Sequence, residues 1–390
     1  VLMHSWKNPE HEKRVAQIAR ELGFRQVSVS HEIMPLIKIL GRGQTTVVDA
    51  YLSPILMHYI DSVKAFTSSI PLEFMQSSGG MTNADSFTGK DAIISGPAGG
   101  VIGAAEVAKI NGLDEVIAFD MGGTSTDVSR FGGRFEKVFE VETGGIQFQA
   151  PSLNINTVAA GGGSILWFDG QKIRVGPESS GADPGPACYG LGGPLSLTDA
   201  NLMLGRIVPQ FFPATFGPTQ NQPLDIAAAT EKLEELTGSV NRGTSSHLTP
   251  QEVAFGCVTI ANEIMAKAIK EISVSRGYDV RTHALVCFGG AAAQHACAIA
   301  RILGIETIII HPLAGLLSAY GIAAADQLRY GVKSVVAPLN EKLYATLQTQ
   351  FDTLSQPLLK ELTEGDISED QIEVNHYLDL RPLGTDSFLS

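Results

Sequence analysis

The chain has 390 residues, 44% of them hydrophobic, and a formal net charge of -13 at pH 7. This length and apolar content predict two or three domains with buried cores. The acidic balance argues against a general nucleic-acid-binding protein, because nucleic-acid phosphates attract basic surfaces.

The cysteines and the hydropathy exclude further classes of protein. The four cysteines are too few and too scattered for a disulfide framework, and no pair has the CxxC spacing of a structural zinc site. Three of them lie in apolar segments and are expected to be buried. The sequence shows neither a signal-peptide pattern nor an apolar run of the roughly 18–20 residues that cross a membrane. We therefore expect a cytoplasmic protein without a membrane partner.

The first part of the chain combines helix and strand patterns. Residues 9–22 have helical periodicity, and residues 26–30 alternate as a strand does. A long helix is predicted over 45–66, and Pro54 either kinks it or starts a second helix. A short strand is predicted over 72–76. The apolar face of the first helix carries Val15, Ile18, Ala19 and Leu22.

The middle of the chain predicts a β-hairpin after a glycine-rich helix. Residues 96–100, Gly-Pro-Ala-Gly-Gly, open a helix whose small residues permit close packing. Residues 116–120 form a buried strand, and residues 127–131 are its hairpin partner. A third strand is predicted over 135–142. Residues 143–223 are rich in Gly and Pro, and their weak periodicity predicts a large loop-rich insertion.

The last part of the chain continues the alternation of helices and strands. Its predicted elements are helices over 226–237 and 250–275, a strand–loop–helix–strand unit over 284–310, helices over 315–325 and 341–364, and a strand near 371–381. This alternation places the chain in the α/β class.

The segment with the most specific chemistry reads Asp-Met-Gly-Gly-Thr-Ser-Thr-Asp over residues 120–127. Its glycines let the chain turn with backbone N–H groups exposed, and three hydroxyl residues follow, so the turn can cradle phosphate oxygens. Carboxylates at both strand ends suit a magnesium ion held partly through water. An ordinary glycine-rich hairpin is the alternative, but the paired carboxylates and the hydroxyl run favour phosphate. The phosphate-binding candidates are Gly122, Gly123, Thr124, Ser125 and Thr126, and the catalytic and metal-binding candidates are Asp120 and Asp127.

A second glycine motif follows a strand and opens a helix. It reads Phe-Gly-Gly-Ala-Ala-Ala-Gln-His over residues 288–295, and its backbone and helix N-terminus can face a nucleotide. The motif alone is weak, because a strand, two glycines and a helix are also a packing solution. His295 is a candidate base or substrate ligand, although a helix-borne histidine without a partner is more often structural. The nucleotide-binding candidates are Gly289, Gly290 and Ala291.

The Gly- and Pro-rich loop over 181–190 contains further polar candidates. Asp183, Cys188 and the nearby Asp199 are either parts of a rigid structural loop with a buried cysteine, or ligands of a substrate or metal. Residues 158–164, which contain three consecutive glycines, either approach a ligand with their backbone or permit a sharp turn. Both alternatives stay open at this point.

The order of these motifs resembles a known ATPase superfamily. An Asp-x-Gly-Gly-Thr hairpin followed far downstream by a Gly-Gly-Ala loop is similar to actin, the sugar kinases and the heat-shock chaperones. Within that superfamily the sequence most resembles the hydantoinase A/5-oxoprolinase family, and its 5-oxoprolinase branch in particular. The likeness extends from His4 to Asp386, and its motifs lie at residues 95–100, 119–127, 181–190, 198–201 and 294–296.

The resemblance implies an α/β fold of the actin-like ATPase type. Residues 1–112 are expected to be the remainder of an N-terminal lobe, and residues 336–390 the truncated start of a C-terminal region. Residues 113–335 are expected to form a second, RNase H-like nucleotide-binding lobe with a mixed sheet and the insertion at 143–223. The helices at 96–100 and 315–321 match the segments that connect the two lobes of such ATPases.

The resemblance also implies ATP-dependent hydrolysis of a cyclic amide, 5-oxoproline or a hydantoin, with ATP and Mg²⁺ as cofactors. Phosphorylation of the amide oxygen is the expected activating step. In this interpretation the hairpin at 120–127 binds phosphates and magnesium, and residues 289–291 line the nucleoside. One departure from the family is Ala292-Ala293, where relatives often carry glycine and where alanine tightens the loop.

Members of this family contain parts that these 390 residues lack. One is another Gly-Gly-Thr phosphate loop, and the other is a second, B-type half that is fused or forms a separate subunit. We therefore expect a piece of a longer protein that forms homo- or hetero-oligomers and does not turn over alone. The alternatives are the ATPase subunit of a ketone carboxylase and a non-catalytic nucleotide-dependent switch.

Overall fold

The computed structural model describes residues 1–67, 70–143, 145–365 and 367–385. The helices are α1 (Glu10–Glu21), α2 (Ser30–Ile33), α3 (Ile39–Thr67), α4 (Ser95–Ile110), α5 (Leu197–Met203), α6 (Ile226–Thr244), α7 (Pro250–Ile272), α8 (Ala296–Leu303), α9 (Leu317–Ala324) and α10 (Glu341–Glu364). The strands are β1 (Glu73–Met75), β2 (Met81–Asn83), β3 (Glu115–Met121), β4 (Thr126–Gly132), β5 (Lys137–Thr143), β6 (Ile146–Leu153), β7 (Ile155–Val158), β8 (Ser164–Phe168), β9 (Ile173–Ser179), β10 (Ala284–Phe288) and β11 (Ile308–Ile310).

The chain divides into two compact units. Unit 1 comprises Val1–Ile93, Phe139–Pro151 and Asp326–Ser390, and unit 2 comprises Ile94–Val138 and Ser152–Ala325. The predicted lobe boundaries at 112/113 and 335/336 stay predictions. Asp386, where the sequence likeness ends, lies outside the described residues.

A five-stranded mixed sheet forms the centre of unit 2. Its strand order is β11–β10–β3–β4–β7. β10 pairs in parallel with β3 and β11, whereas β4 pairs antiparallel with β3 and β7. The predicted hairpin around residues 121–126 is therefore confirmed, and so are the mixed sheet and the α/β class.

Helices cover both faces of this sheet. Successive residues of β3 point to opposite faces, as strand geometry requires. Ile117 and Phe119 lie in a core shared with α7 and α8, and Val116 and Ala118 pack with α4 and α9. Because both faces are buried, β3 and β10 read as continuous apolar runs in the sequence rather than as alternating ones.

α4 and α9 cross so closely that no side chain fits between them. A Cβ at Gly321 would meet the carbonyl oxygen of Gly99 at 1.9 Å, and a Cβ at Gly103 would meet that of Leu317 at 2.6 Å. The small residues that the sequence places in these two helices therefore permit close packing, as predicted.

The segment over 143–223 is loop-rich, but it also contains four strands that its weak periodicity did not predict. β7 extends the central sheet beside β4, and β8 and β9 form a two-stranded sheet of their own. Glycine and proline lie within these short strands, as at Gly176 and Pro177 in β9. Such interruptions hide the two-residue period on which strand prediction rests.

Unit 1 contains the N-terminal helices, the β1–β2 hairpin and α10. α3 is one helix of 29 residues with Pro54 inside it, so the predicted helix is confirmed and is not divided. The rings of Phe74 and Phe87 stack with their centroids 5.3 Å apart beneath it. α10 covers the predicted residues 341–364.

Two predicted strands are wrong. Residues 26–29 are irregular and Ser30 begins α2, where Glu12 of α1 accepts hydrogen bonds from the Ser30 hydroxyl at 2.7 Å and from the His31 N–H at 2.9 Å. These polar groups thus bind a helix side chain rather than a neighbouring strand. Residues 371–381 contain the end of a short 3₁₀ turn and are otherwise irregular apart from one isolated bridge position.

The predicted apolar face of α1 is not buried within the described residues. Val15 is 58% exposed and Leu22 is 73% exposed, whereas Glu12 is 3% exposed. The hydrogen bonds of Glu12 decide which side of α1 faces its unit, because a buried carboxylate needs donors that apolar residues do not.

The cysteines are free thiols, as the sequence predicts. Cys188, Cys257 and Cys287 are buried, and Cys297 is exposed. Burial raises the pKa of Cys257 and of Cys287 to about 12. Among the helices of the described residues, none is both long and apolar enough to cross a membrane.

The α4–α9 crossing yields a stability test with a matched control. We expect Gly321→Ala to destabilise the chain by about 2 kcal/mol or more, because overpacking a closed contact forces backbone shifts. Gly96→Ala in α4 places a Cβ in open space and should leave stability unchanged or slightly raised. Thermal and denaturant unfolding of both variants measures the difference, and equal stabilities would contradict the close crossing.

Candidate functional site

The hairpin turn (residues 121–126) brings two carboxylates face to face. Asp120 at the end of β3 pairs in register with Asp127 at the start of β4. The Gly122 N–H donates to the Ser125 carbonyl at 3.1 Å and closes the turn. Gly123 and Thr124 are exposed at its tip, and a Cβ at Gly123 would meet no atom within 4 Å. The tip is therefore open to a ligand.

Both carboxylates lie in an environment that disfavours negative charge. Burial and the neighbouring charge of Asp127 raise the pKa of Asp120 to about 6. Burial also raises the pKa of Asp127, against a hydrogen bond that the Thr157 hydroxyl donates to its Oδ1. Two facing acidic groups with raised pKa values are typical of a site that a cation completes.

The Gly-Gly-Ala loop (residues 289–295) lies directly against the hairpin turn. Phe288 pairs with Asp120 in the parallel β10–β3 ladder, so both loops leave the sheet side by side. The N–H of Ala291 donates to the carbonyl of Met121 at 3.0 Å. A Cβ at Gly289, where φ is +82°, would lie 2.3 Å from Asp120 Oδ1. The two glycine motifs, which are far apart in the sequence, are thus in direct contact.

The glycine triplet (residues 161–163) forms backbone hydrogen bonds with the hairpin turn. The N–H groups of Gly162 and Gly163 donate to the carbonyls of Gly122 and Gly123 at 3.0 and 2.6 Å. A Cβ at Gly161 would lie 2.6 Å from the Gly123 carbonyl oxygen. This role is neither of the two that the sequence suggested for the run, a backbone approach to a ligand or a sharp turn: the N–H groups of Gly162 and Gly163 support the hairpin turn.

Several of the nucleotide-binding candidates form hydrogen bonds within the protein itself. Thr126 is fully buried, and its hydroxyl donates to the Ala160 carbonyl, which favours a structural role, so its assignment to phosphate binding stays a prediction. Ala291 is 8% exposed and its N–H is bonded, so it supports the loop. Of the other candidates, Gly123, Thr124 and Gly290 are exposed, and Gly122, Ser125 and Gly289 are partly buried.

For Asp199 and Cys188, the contacts favour the rigid structural loop over a substrate or metal ligand, and their assignment as ligands stays a prediction. Asp199 is fully buried and accepts hydrogen bonds from the N–H groups of Ala187, Cys188 and Ser196 and from the Ser196 hydroxyl. Burial, with the charge of Asp199, raises the pKa of the Cys188 thiol, so a metal-binding thiolate is disfavoured. Among the described residues, no group of three or more His, Cys, Asp or Glu side chains could hold a metal ion.

His295 is fully buried and bridges two helices. Its Nδ1 lies 2.7 Å from Asn262 Oδ1 of α7, and its Nε2 lies 3.0 Å from Asn201 Nδ2 of α5. Burial, with the nearby Arg206 guanidinium, lowers its pKa to about 4. Both ring nitrogens are engaged within the protein, which favours a structural role, and the assignment of His295 to a base or substrate ligand stays a prediction. Asp183 is exposed on its loop and is not joined to the hairpin turn by any contact in the described residues.

Comparison with known proteins gives the chain its family. The hydantoinase/oxoprolinase family model matches residues 42–330, which is most of the chain. This chain belongs to the hydantoinase/oxoprolinase family. The predicted family is thus confirmed.

Individual relatives agree with this family. A 5-oxoprolinase of Saccharomyces cerevisiae is 47% identical over 394 residues, which cover 99% of this chain and 31% of the relative. The crystal structure of an ATP-dependent caprolactamase from Pseudomonas jessenii is 30% identical, with a TM-score of 0.78 over 98% of this chain and 56% of that one. The nucleotide-free structure of an acetone carboxylase is 26% identical, with a TM-score of 0.75 over 95% of this chain and 54% of that one.

These matches confirm the α/β, actin-like ATPase fold of this hydantoinase/oxoprolinase family member. The higher identity to a 5-oxoprolinase agrees with the predicted branch. The chain spans about a third of the length of the yeast relative.

The buried His295 makes the stability of this family member depend on pH. The imidazole has a pKa of about 4 when folded and 6.5 ordinarily, so between these values only the unfolded state takes up a proton. We expect its contribution to be fully present above pH 6.5 and to be lost as the pH falls to about 4, by up to about 3 kcal/mol. Denaturant unfolding at several pH values measures this loss. His295→Gln should show a weaker pH dependence, and identical profiles for the two proteins would contradict the assignment.

Proposed function

We propose that the chain supplies a nucleotide-binding lobe to an enzyme that hydrolyses a cyclic amide, 5-oxoproline or a hydantoin, at the expense of ATP. The observation that carries the proposal is the pair of facing carboxylates, Asp120 and Asp127, beside an open glycine turn and against a second glycine loop. The names of the relatives, a 5-oxoprolinase and an ATP-dependent caprolactamase, support a lactam as the substrate.

The residues present fit a magnesium ion. Asp120 and Asp127 offer hard oxygen ligands from adjacent strands, and Mg²⁺ prefers one or two carboxylates with water and phosphate oxygens in its remaining positions. A divalent cation also stabilises the charged form of Asp120, whose pKa is raised by burial and by the charge of Asp127. When bound, the ion neutralises charge on the nucleotide phosphates.

The chain's own groups position the nucleotide. The exposed backbone at Gly123 and the hydroxyls of Thr124 and Ser125 bind phosphate oxygens. The Gly-Gly-Ala loop lines the nucleoside side through Gly290, where a Cβ would meet no atom within 4 Å. These contacts hold the phosphates in place, and positioning with charge neutralisation supplies most of the catalysis of phosphoryl transfer.

The proposed reaction activates an amide that resonance protects. The amide oxygen takes the γ-phosphoryl group of ATP, which releases ADP and makes the carbonyl carbon electrophilic. Water then adds to that carbon, and the ring C–N bond breaks to leave an acyl phosphate. A second water releases inorganic phosphate and the carboxylate, so that glutamate is the product from 5-oxoproline.

A second candidate activity is ATP-dependent carboxylation of a ketone. The similarity to a solved acetone carboxylase, with a TM-score of 0.75, favours it. Both activities are ATP-dependent and act on a carbonyl compound, so the proposed nucleotide site serves either one. The difference lies in the acceptor and in the parts of the longer relatives that this chain does not span.

The assignment of Asp120 is tested by nucleotide binding with and without magnesium. We expect Asp120→Asn to weaken the binding of Mg²⁺ with a fluorescent ATP analogue about tenfold or more, because one metal ligand is lost. Without the metal, binding should be unchanged or tighter, since a negative charge near the phosphates is removed. Asp114→Asn, at the exposed opposite end of β3, is the matched control. Equal metal-dependent affinities for both variants would refute the metal role.

Turnover is tested by ATP hydrolysis with a panel of acceptors. We expect 5-oxoproline or a hydantoin to stimulate hydrolysis by the longer protein that contains this sequence, and the 390 residues alone to bind nucleotide with little turnover. Acetone with bicarbonate tests the carboxylase candidate in the same assay. Stimulation by acetone alone, or comparable turnover by these residues and the longer protein, would overturn the corresponding part of the proposal.

A further inference from the structure

We propose that α5 is a positioning element that fixes the hairpin turn and the Gly-Gly-Ala loop relative to each other, through Thr198 and Asn201. Neither side chain is assigned a role by the function proposed above. The link to nucleotide affinity rests on that function, whereas the positioning itself rests on contacts alone.

Thr198 reaches the hairpin turn through the glycine triplet. Its backbone N–H and its hydroxyl both donate to the Gly162 carbonyl, at 2.8 and 2.9 Å. The N–H of the same glycine donates to the Gly122 carbonyl at 3.0 Å. Gly162 forms both links, so a shift of α5 moves Gly162 and, through it, the hairpin turn.

The Thr198 hydroxyl also lies where the three loops meet. A Cβ at Gly162 would lie 2.8 Å from that hydroxyl, 3.7 Å from the Ala291 Cβ and 3.8 Å from the Gly122 carbonyl oxygen. The distances place the glycine triplet, the hairpin turn and the Gly-Gly-Ala loop around one point. The hydrogen bond from the Thr198 hydroxyl to the Gly162 carbonyl is made at this point.

Asn201 holds the Gly-Gly-Ala loop from the same helix. Its amide nitrogen lies 3.0 Å from His295 Nε2, and the other ring nitrogen of His295 lies 2.7 Å from Asn262 Oδ1. All three residues are at least nine-tenths buried. Just beyond α5, Arg206 donates to the Gln294 carbonyl at 3.1 Å. The end of the loop is therefore tied to α5 and its C-terminal extension at two points.

Burial of the Asn201 side-chain amide in the core costs free energy. Its Oδ1 is buried and has no hydrogen-bond partner among the described residues, and such an atom loses its hydration without replacement. Apolar side chains of similar size avoid that loss. The directional bond to His295 gives orientation in return, which apolar contacts cannot supply.

α5 itself is anchored well enough to transmit these restraints. Asp199, between the two proposed positioning residues, accepts bonds from the N–H groups of Ala187 and Cys188 with both carboxylate oxygens. It also forms a capping box with Ser196 at the helix N-terminus. Thr198 and Asn201 are three residues apart on the same helical face, so a displacement of α5 moves both loops together.

Hydrogen–deuterium exchange tests the two links separately. We expect Thr198→Val to raise the exchange of amides in residues 121–126 and 161–163 about threefold to tenfold, since one of the two restraints on Gly162 is lost. Asn201→Leu should raise exchange in residues 289–295 by a similar factor. Thr198→Ser should restore the original rates. Thr259→Val, which removes a hydroxyl bond to the Phe255 carbonyl on α7, is the matched control and should leave both regions unchanged.

The outcomes decide between positioning and general support. An unchanged exchange rate at residues 121–126 in Thr198→Val overturns the proposal, and so does a uniform rise across the chain, which is the result of lower global stability. If Asn201→Leu does not fold, the Thr198 variants decide alone. Affinity for the ATP analogue should fall at least threefold in Thr198→Val. If the exchange results hold but the unmodified chain binds no nucleotide, the proposed function fails and the positioning stands.

Discussion

The parallel pairing of β3 with β10 is the constraint on which the site depends. It places Phe288 beside Asp120, so the hairpin turn and the Gly-Gly-Ala loop leave the same edge of the sheet. Open α/β sheets bind ligands at such an edge, beyond the carboxyl ends of parallel strands. The antiparallel return of β4 then brings Asp127 opposite Asp120. Only glycine fits at position 289, because a Cβ there would collide with Asp120.

Features that depend on residues close together in the sequence could be predicted, whereas side-chain roles that depend on partners far along the chain could not. The hairpin was predictable because its two carboxylates, glycines and hydroxyls lie within eight consecutive residues, 120–127. The roles of Thr126 and His295 were not, since their partners lie far along the chain, at Ala160 for the first and at Asn201 and Asn262 for the second. In the same way, the bonds that Ser30 and His31 of α2 donate to Glu12 join residues that are distant in the sequence, and no strand propensity reports them.

The carboxylates of Glu12 and Asp120 are both shielded from solvent, but their surroundings shift their pKa values in opposite directions. Burial alone raises the pKa of Glu12, but hydrogen bonds from His31, Ser30 and the N-terminal backbone outweigh it and hold the pKa at about 2. For Asp120, burial and the charge of Asp127 raise the pKa to about 6. Glu12 is satisfied by donors of the protein itself, whereas for Asp120 we propose that a bound cation offsets the charge.

The distribution of the thiols makes the chain suitable for spectroscopy without engineering. Three cysteines are buried and Cys297 alone among the four is exposed, so a maleimide dye should react at one position in the folded state. That position lies in α8, two residues beyond His295. A fluorophore there reports from the end of the Gly-Gly-Ala loop, and its emission or distance to a labelled nucleotide can follow occupancy in real time.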